Sequence, residues 1–208
     1  DRTQENAPAL ARAAERAGAA LITVHGRSRA CGFGGTVDLD AIARVRDAVT
    51  IPLVANGDID SPQRARQVLE HTGADAVMIG RAAQGRPWLY HQIDCYLETG
   101  VVPVAPSLEV IRLLLREHLT DHYRFHGEWT GVRTARKHIG WALDALAAPE
   151  SWRAAIYATD DPAAQLALLD RCLDHIATIR TTVDAPMPGP LPGGVDPRSA
   201  PLSETAFR

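Results

Sequence analysis

The sequence predicts an α/β fold built on three parallel β-strands, followed by an all-α segment. Short apolar runs rich in β-branched residues, Ala20–Val24, Ile51–Ala55 and Ala74–Ile79, alternate with amphipathic helical patterns. Each run ends in a loop that is rich in glycine or polar residues. After Arg81 no strand pattern follows, and helical periodicity continues to about residue 183.

The clearest unit is the βαβ pattern at residues 51–81. Ser61 and Pro62 are the residue types of a helix N-cap and a first helical position. Gly73 can end that helix in a left-handed conformation. The flanking runs are therefore expected to be parallel strands, whose carboxyl ends are the usual ligand-binding edge of such sheets.

The residues upstream repeat this pattern. Asn6 is expected to cap a first helix, whose inward positions are predicted to be Leu10, Ala13, Ala14 and Ala17. The continuous apolar run Ala20–Val24 is typical of a strand that is buried on both faces. Asp38 or Asp40 is expected to cap the helix that leads to the second strand.

Three strands are too few for a closed sheet. A (β/α)₈ barrel needs eight strands and about 250 residues, and an open three-stranded sheet leaves its edges unpaired. A flavodoxin-like sheet is an alternative, but it usually has about five strands. We therefore expect the last three βα units of a (β/α)₈ TIM barrel, with earlier strands upstream of Asp1, because the chain begins without Met.

The sequence after Arg81 predicts a helical bundle and a tail. Helices are expected at about 82–99, 107–126, 130–146 and 152–157, and a last one begins at Asp161-Pro162. The expected organisation is thus 1–100 as part of a barrel, 107–183 as a helical domain and 184–208 as a tail. The tail holds six prolines and three glycines, which favours disorder.

Composition excludes several classes of protein. The 208 residues are 46% hydrophobic and 23% charged with a net charge of −3, as in ordinary globular proteins, so RNA contact would need a local basic patch. Cys31, Cys95 and Cys172 lie far apart, without metal-ligand spacing, which fits a reducing cytoplasmic setting. No apolar run reaches the roughly 18 residues of a membrane helix.

Polar residues follow each predicted strand. His25, Arg27 and Arg29 follow the first, Asn56-Gly57-Asp58 the second and Gly80-Arg81 the third. Backbone N–H groups at a helix start attract a phosphate, and Gly80-Arg81 follows a strand and is expected to open a helix. Structural roles remain alternatives for each residue, such as a turn at Gly80 or solvated arginines in the first loop. Cys31 has no base partner at a defined spacing and is predicted to be non-catalytic.

One basic stripe occurs in the helical part. Arg133, Arg136 and Lys137 have i, i+3, i+4 spacing, with His138 and Trp141 adjacent. On an otherwise acidic chain, this stripe is a candidate contact for an RNA backbone. A merely solvated helix face is the alternative interpretation.

These motifs, in this order, resemble the bacterial tRNA-dihydrouridine synthases and in particular their B-type branch. The segments that carry the resemblance are VHGRSRACGF, IPLVANGDI, DAVMIGRAAQGRPWL and VRTARKHIGWAL, within about residues 6–179. Members of that family are FMN-dependent (β/α)₈ barrels followed by a helical tRNA-binding domain. They reduce a D-loop uridine of tRNA at its C5–C6 bond with hydride derived from NADPH. The resemblance implies a cytoplasmic enzyme that is monomeric at full length.

The resemblance also implies roles for residues at matching positions. Asn56, Gly57 and Asp58 would lie along the FMN, Gly80 and Arg81 would hold its phosphate, and His25 would face the flavin or the uracil. Arg27 and Arg29 would lie near the inserted nucleotide, and Arg133, Arg136 and Lys137 would contact tRNA phosphates.

Two departures qualify these roles. The family's catalytic cysteine, in an asparagine-x-Gly-Cys-Pro motif, and its flavin-contacting lysine have no counterpart in this sequence, so we expect the isolated chain to be inactive. Ala142 follows Trp141 where relatives often carry an aromatic residue. Alternatives are another FMN- or phosphate-binding barrel oxidoreductase, a non-catalytic RNA-binding remnant and a half-barrel scaffold that dimerises.

Overall fold

The computed structural model describes residues 5–32 and 34–179. In chain order the helices and strands are α1 (Ala7–Arg16), β1 (Ile22–His25), α2 (Leu39–Arg46), β2 (Leu53–Asn56), α3 (Pro62–Thr72), β3 (Ala76–Met78), α4 (Leu89–Thr99), α5 (Leu108–His126), α6 (Glu128–Ala145), α7 (Glu150–Ala158) and α8 (Pro162–Ile179). Two 3₁₀ turns, Arg29–Cys31 and Arg81–Ala83, follow β1 and β3. The predicted disordered tail at 184–208 lies outside the described residues.

The three strands form one sheet in the order β1-β2-β3. Both pairs are parallel, as the sequence predicts, and the register aligns His25 with Asn56 and Asn56 with Met78. The last residues of the three strands therefore form one row. The loops that follow this row carry the polar residues singled out by the sequence.

The predicted helix caps at α2 and α3 are confirmed. The Ser61 hydroxyl accepts a backbone N–H of the first turn of α3, and Pro62 is its first residue. Gly73 ends α3 at a φ of 65°, in the left-handed region. For α2 the cap is Asp38 rather than Asp40, and the Asp38 carboxylate accepts a first-turn N–H at 2.8 Å.

In the described three-stranded sheet, the run Ala20–Val24 is covered on one face only, and not on both faces as the sequence predicts. Within the described residues, helices α1 to α4 cover one face of the sheet. That face belongs to a core whose buried members are Ala11, Ile42, Val45, Val49, Leu53, Ala55, Ile59, Ala65, Val68, Leu89 and Ile93. Along β1 burial alternates, so that Thr23 is exposed while Val24 packs against this core.

The prediction of which α1 residues face the core is also wrong. Ala11 is the residue of α1 that reaches the core, whereas Leu10 is 60% exposed. The reason is that α1 packs against α2, so the side of α1 that bears Ala11 is the side that turns inward. Asn6 occupies the N-cap position, but its side chain makes no capping hydrogen bond.

The helix predicted from Ala82 to Thr99 begins later than expected. A 3₁₀ turn at Arg81–Ala83 follows β3, and α4 starts at Leu89, two residues after Pro87. Proline lacks an N–H and disfavours a helical residue before it, so the chain cannot remain helical through this point. The prediction was wrong because it extended the helical pattern of apolar residues through Pro87.

Helices α5 to α8 surround a second core. Its buried members are Leu108, Ile111, Leu119, Tyr123, Val132, Ala135, Ile139, Leu143, Leu146, Ile156, Leu169, Cys172, Leu173 and Ile176. The apolar residues of α6 at helical spacing, Val132, Ala135, Ile139, Ala142 and Leu143, are all buried. Helix α6 begins at Glu128 rather than near Thr130, directly after Gly127, whose φ of 76° redirects the chain.

The loop between β3 and α4 contacts the second core. Trp88 packs against it, although the next residue, Leu89, belongs to the first core. Gly85 lies so close to α6 that an added Cβ would be 2.2 Å from the Trp141 carbonyl oxygen. The loop after β3 is therefore held directly against the helix that bears the basic stripe.

We predict that Gly85→Ala destabilises the protein more than Gly100→Ala. Both glycines have a left-handed φ, 73° and 75°, but an added Cβ meets backbone atoms only at Gly85 and meets nothing within 4 Å at Gly100. Gly100→Ala should cost about 1 kcal/mol of backbone strain, and the clash at Gly85 should add about 1–3 kcal/mol. Urea unfolding measures the free energy of unfolding of both variants. Equal decreases would show that the loop after β3 moves to accommodate the added Cβ without loss of stability.

Candidate functional site

A row of polar groups lines the carboxyl edge of the sheet. The Asn56 side chain donates to the Met78 carbonyl oxygen at 2.8 Å and so ties the ends of β2 and β3 together. The His25 Nδ1 lies 3.3 Å from the Asn56 carbonyl oxygen. Because a carbonyl only accepts, Nδ1 carries the proton in neutral His25, and Nε2 is the acceptor. The imidazole is otherwise exposed at this edge.

The Arg27 side chain is buried and joins two of the loops at the sheet edge. It is 3% exposed, and its guanidinium pairs with the Asp58 carboxylate. It also donates to two loop carbonyls, Gly34 at 3.1 Å and Gly35 at 2.7 Å. The resemblance implies that Arg27 lies near the inserted nucleotide, and in the structure Arg27 joins the loop after β1 to the loop after β2.

Asp58 accepts hydrogen bonds from two arginines. It pairs with Arg27 on one side, and Arg81 donates to its Oδ1 at 3.1 Å on the other. The hydrogen bond from Arg27, supported by the charges of Arg27, Arg81 and His25, lowers the pKa of Asp58 against the opposing effect of burial. The carboxylate therefore stays ionised at neutral pH and joins the exits of all three strands.

The turn that presents Asp58 requires glycine before it. Gly57 has a φ of 133°, and an added Cβ would lie 2.8 Å from the Val37 side chain and 3.3 Å from His25 Nδ1. Asp58 itself has a positive φ of 46°. The backbone at this turn is thus held in an unusual conformation.

Gly80-Arg81 does not open an α-helix, contrary to the sequence prediction. The three-residue 3₁₀ turn Arg81–Ala83 begins here, and α4 starts eight residues after Arg81 at Leu89. Arg81 is half-exposed at the sheet edge, and an added Cβ on Gly80 would meet no atom within 4 Å. The backbone of Gly80 is consequently open to a neighbouring group.

Two supporting residues near the third strand were missed from the sequence. Arg86 donates to the Asp60 carbonyl oxygen at 3.0 Å, and burial lowers its pKa. The Tyr90 hydroxyl donates to the Ile79 carbonyl oxygen at 3.2 Å, directly before Gly80. No motif marks such side-chain contacts to main-chain carbonyls.

Arg29 lies apart from the Asp58 arrangement. It is exposed on the 3₁₀ turn Arg29–Cys31 and lines a cleft of about 280 Å³ between the exit of β1 and the start of α1. Arg44 and Glu5 close the far side of the cleft and pair with each other at 2.7 Å. In the same turn the Cys31 Sγ lies 3.1 Å from the Ser28 hydroxyl oxygen.

The residues of the basic stripe on α6 differ in their contacts: the two arginines approach a carboxylate, and the lysine is exposed. Arg136 pairs with Asp160 at 2.8 Å and donates to the Thr159 carbonyl oxygen. Arg133 lies 3.5 Å from the same carboxylate, and its guanidinium stacks 4.1 Å from the centre of the Trp129 ring. Lys137 is exposed, so the outer face of α6 retains positive charge.

A histidine cluster lies beside this stripe and was missed as a group from the sequence. We define it as His118, His122 and His126 of α5 together with His138 of α6. The His138 ring centre lies 5.0 Å from that of His118 and 5.2 Å from that of His122, and the ring centres of His122 and His126 are 4.4 Å apart. The i, i+4, i+8 spacing on α5 could have shown the row of three.

Two members of the histidine cluster, His122 and His138, have pKa values that favour the neutral imidazole. Burial, and then the positive potential of the neighbouring histidines and Lys137, lowers the pKa of His138 to about 4. The same causes lower the pKa of His122. Among the residues that the structure describes, no group of His, Cys, Asp and Glu has the arrangement of a metal site.

The sequence matches the family model described as "Dihydrouridine synthase (Dus)" over residues 1–178. It is 49% identical over 168 residues to tRNA-dihydrouridine synthase B of Pseudomonas aeruginosa, covering 80% of this chain and 50% of that protein. The protein of the same name from Xanthomonas campestris is 47% identical (81% and 51% covered), and that from Pectobacterium carotovorum is 45% identical (83% and 54% covered). The chain thus spans about half the length of these curated relatives.

No helix in the described part of the chain combines the length and the apolar character that a membrane crossing demands.

We predict that Asp58→Asn lowers the free energy of unfolding by about 1–2 kcal/mol, because it leaves the buried Arg27 guanidinium without its charged acceptor. Asp94→Asn, the same change at an exposed position of α4, should have an effect within about 0.5 kcal/mol. Urea unfolding at neutral pH measures both variants. Equal stabilities would contradict the role assigned to Asp58.

We also predict that the histidine cluster makes the fold sensitive to acid. The pKa of His138 is about 4 in the fold and about 6.5 in an unfolded chain. Between these pH values the unfolded chain binds more protons, so stability is complete above about pH 6.5 and falls as the pH drops towards 4.

Melting temperatures at pH 7.5 and pH 5.0 test this sensitivity. The decrease on acidification should be smaller in His138→Gln than in the unaltered protein. His175→Gln, at an exposed position of α8, should keep the full decrease. If His138→Gln also keeps the full decrease, His138 is not its source.

Proposed function

The chain belongs to the dihydrouridine synthase family, in its bacterial B type, and on that premise we propose that it is part of an FMN-dependent tRNA-dihydrouridine synthase. The proposed reaction reduces the C5–C6 bond of a D-loop uridine with hydride derived from NADPH. The observation that carries the proposal is the joining of three strand exits by Asp58, Arg27 and Arg81. This edge is where (β/α)₈ enzymes bind phosphate-bearing ligands.

We propose that residues 1–100 contribute three βα units to a (β/α)₈ barrel. The support is the asymmetry of the sheet: α1 to α4 pack on one face, while Thr23 and Met78 are exposed on the other. In a barrel, one face of the sheet turns towards the helices and the other towards the interior. Residues 107–183 would then form the helical tRNA-binding domain.

The residues at the strand exits fit FMN by their chemistry. A phosphate monoester needs cationic and N–H donors, and Arg81 is half-exposed beside the open backbone of Gly80. Asn56, Gly57 and Asp58 would line the same ligand from the adjacent strand. When bound, FMN supplies the hydride chemistry, and the protein supplies binding and orientation.

The remaining residues of this edge would position the nucleotide. His25, fixed through Nδ1 to the Asn56 carbonyl oxygen, would present Nε2 to the flavin or the uracil. Arg29 is exposed and could reach a phosphate of the inserted nucleotide. Arg27 is buried, so we assign it the positioning of the loop that carries His25 and Arg29. The uridine must leave its stack to reach this site.

The helical part would bind the rest of the tRNA. Arg133, Arg136 and Lys137 supply positive charge on α6, and the contact between Gly85 and Trp141 holds this helix against the loop after β3. Phosphate contacts of this kind position an RNA without reading its sequence. Because the proposed substrate is tRNA, we place the protein in the cytoplasm, and we expect the full-length enzyme to be a monomer.

The proposed roles are placement and electrostatics, and none is a proton transfer. The 208 residues contain no asparagine-x-Gly-Cys-Pro motif, which in the family carries the catalytic cysteine. We therefore expect these residues alone to form no dihydrouridine. Detection of dihydrouridine in tRNA treated with the purified chain, FMN and NADPH would contradict this expectation.

We predict that Arg81→Ala weakens FMN binding at least tenfold, since it removes the charged donor proposed for the phosphate. Arg12→Ala, at an exposed position of α1, should bind FMN like the unaltered protein. Quenching of flavin fluorescence measures both affinities, and circular dichroism confirms folding. Equal affinity of both variants, or no FMN binding by the folded unaltered protein, would overturn the assignment.

A further inference from the structure

The histidine cluster lies on the outer surface where α5 and α6 meet. His118 and His126 are exposed, and His122 and His138 are partly buried. The cluster continues into the charged face of α6, because the His138 ring centre lies 5.2 Å from that of Trp141 and Lys137 Nζ lies 6.0 Å from the Trp141 ring centre. The cluster and Lys137, the exposed member of the basic stripe, thus lie on one surface.

The hydrogen bonds of His122 fix its neutral form. The Thr134 hydroxyl donates its only proton to the Thr130 carbonyl oxygen at 2.8 Å. It must therefore accept from His122 Nε2, which lies 2.7 Å away. Nδ1 is left as the atom of His122 that can take up a proton without breaking this bond.

The charged groups that act on the two partly buried rings, His122 and His138, are all bases. The groups that act on His138 are His118, His122 and His126 from α5 and Lys137 from its own helix, and all of them are bases. Of the charged residues that flank the cluster along α5, Asp121 and Arg124 form an ion pair with each other at 2.7 Å, Arg116 pairs with Asp170, and Glu117 is exposed. A proton added to the cluster therefore meets repulsion from Lys137, and an anion placed over the cluster would relieve it.

We propose that the histidine cluster is a contact surface for an RNA phosphate backbone and that it takes up protons when the RNA binds. This inference rests on the proposed function, because it extends the tRNA-binding surface of α6 across to α5. The His122 and His138 imidazoles, whose pKa values burial lowers, place little charge on the free surface. A phosphodiester lying across them stabilises the imidazolium form and gains charge-assisted hydrogen bonds.

Aromatic side chains at the end of the cluster favour RNA over other anions. Phe125 is 84% exposed and Trp129 is 71% exposed. Phe125 lies 4.9 Å from His126 between ring centres, and Arg133 stacks on Trp129. Exposed rings beside cationic and hydrogen-bonding groups are what unstacked bases and a phosphate backbone contact.

Proton uptake makes the affinity depend on pH in a defined direction. If RNA raises the pKa of the cluster, the complex holds more protons than its separate components, and affinity increases as the pH falls. Each proton taken up contributes at most a tenfold change in affinity per pH unit, by the linkage that governs any equilibrium with unequal proton binding.

The test uses the full 208-residue chain and an unmodified tRNA transcript. Fluorescence anisotropy at constant ionic strength, needed because salt alone changes RNA affinity, gives the dissociation constant at pH 6.0 and pH 7.5. The variant combines His118→Gln, His122→Gln and His138→Gln, which keeps polar side chains but removes titration at these three positions, the two partly buried rings included. The matched control is His175→Gln on α8.

The proposal expects the unaltered protein and His175→Gln to bind at least fivefold more weakly at pH 7.5 than at pH 6.0. The triple variant should change less than twofold and should match the weaker affinity at both pH values. Calorimetry of the unaltered protein at pH 6.5 in two buffers of different ionisation enthalpy should show uptake of about one proton or more per tRNA.

Two other outcomes overturn the inference and are distinguishable. Binding with the same affinity at both pH values, or the same pH dependence in the triple variant, would refute proton uptake by the cluster and leave tRNA binding intact. Absence of tRNA binding at either pH by the folded chain would refute both the cluster's role and the assignment of tRNA binding to the helical part.

Discussion

The two ion pairs of Asp58 are the contacts on which the candidate site depends. One carboxylate joins the buried Arg27 of the first loop and the half-exposed Arg81 of the third. Removal of the charge would leave a desolvated guanidinium and would release three loops at once. The arrangement also explains the positive φ of Asp58 and Gly57, since the turn must place the carboxylate between strand exits.

The second constraint is the close approach of the loop after β3 to α6. Gly85 permits main chain to contact main chain there, and Trp88 extends the helical core to the start of α4. A ligand at the sheet edge and an RNA on α6 would therefore contact two parts of the protein whose relative position these contacts fix. This geometry suits an enzyme that must bring one nucleotide of a large substrate to a cofactor.

The sequence predicts local features well where one residue type decides them. The caps at Ser61 and Asp38 and the strand exits at Asn56 follow from such chemistry. The errors arose where the outcome depends on packing between elements. The inward face of α1 and the coverage of β1 depend on which neighbours are present, and the pairing of Arg27 with Asp58 joins residues 31 positions apart. The histidine cluster likewise requires α5 and α6 to pack side by side.

The central claim is that this protein serves in the reduction of a tRNA uridine. Its most direct test is mass-spectrometric mapping of dihydrouridine in total tRNA from the source organism before and after deletion of the gene that contains this coding sequence. We predict loss of dihydrouridine at one or a few D-loop positions and its recovery when the gene is restored. An unchanged dihydrouridine map in the deletion strain would contradict the proposed role in tRNA reduction.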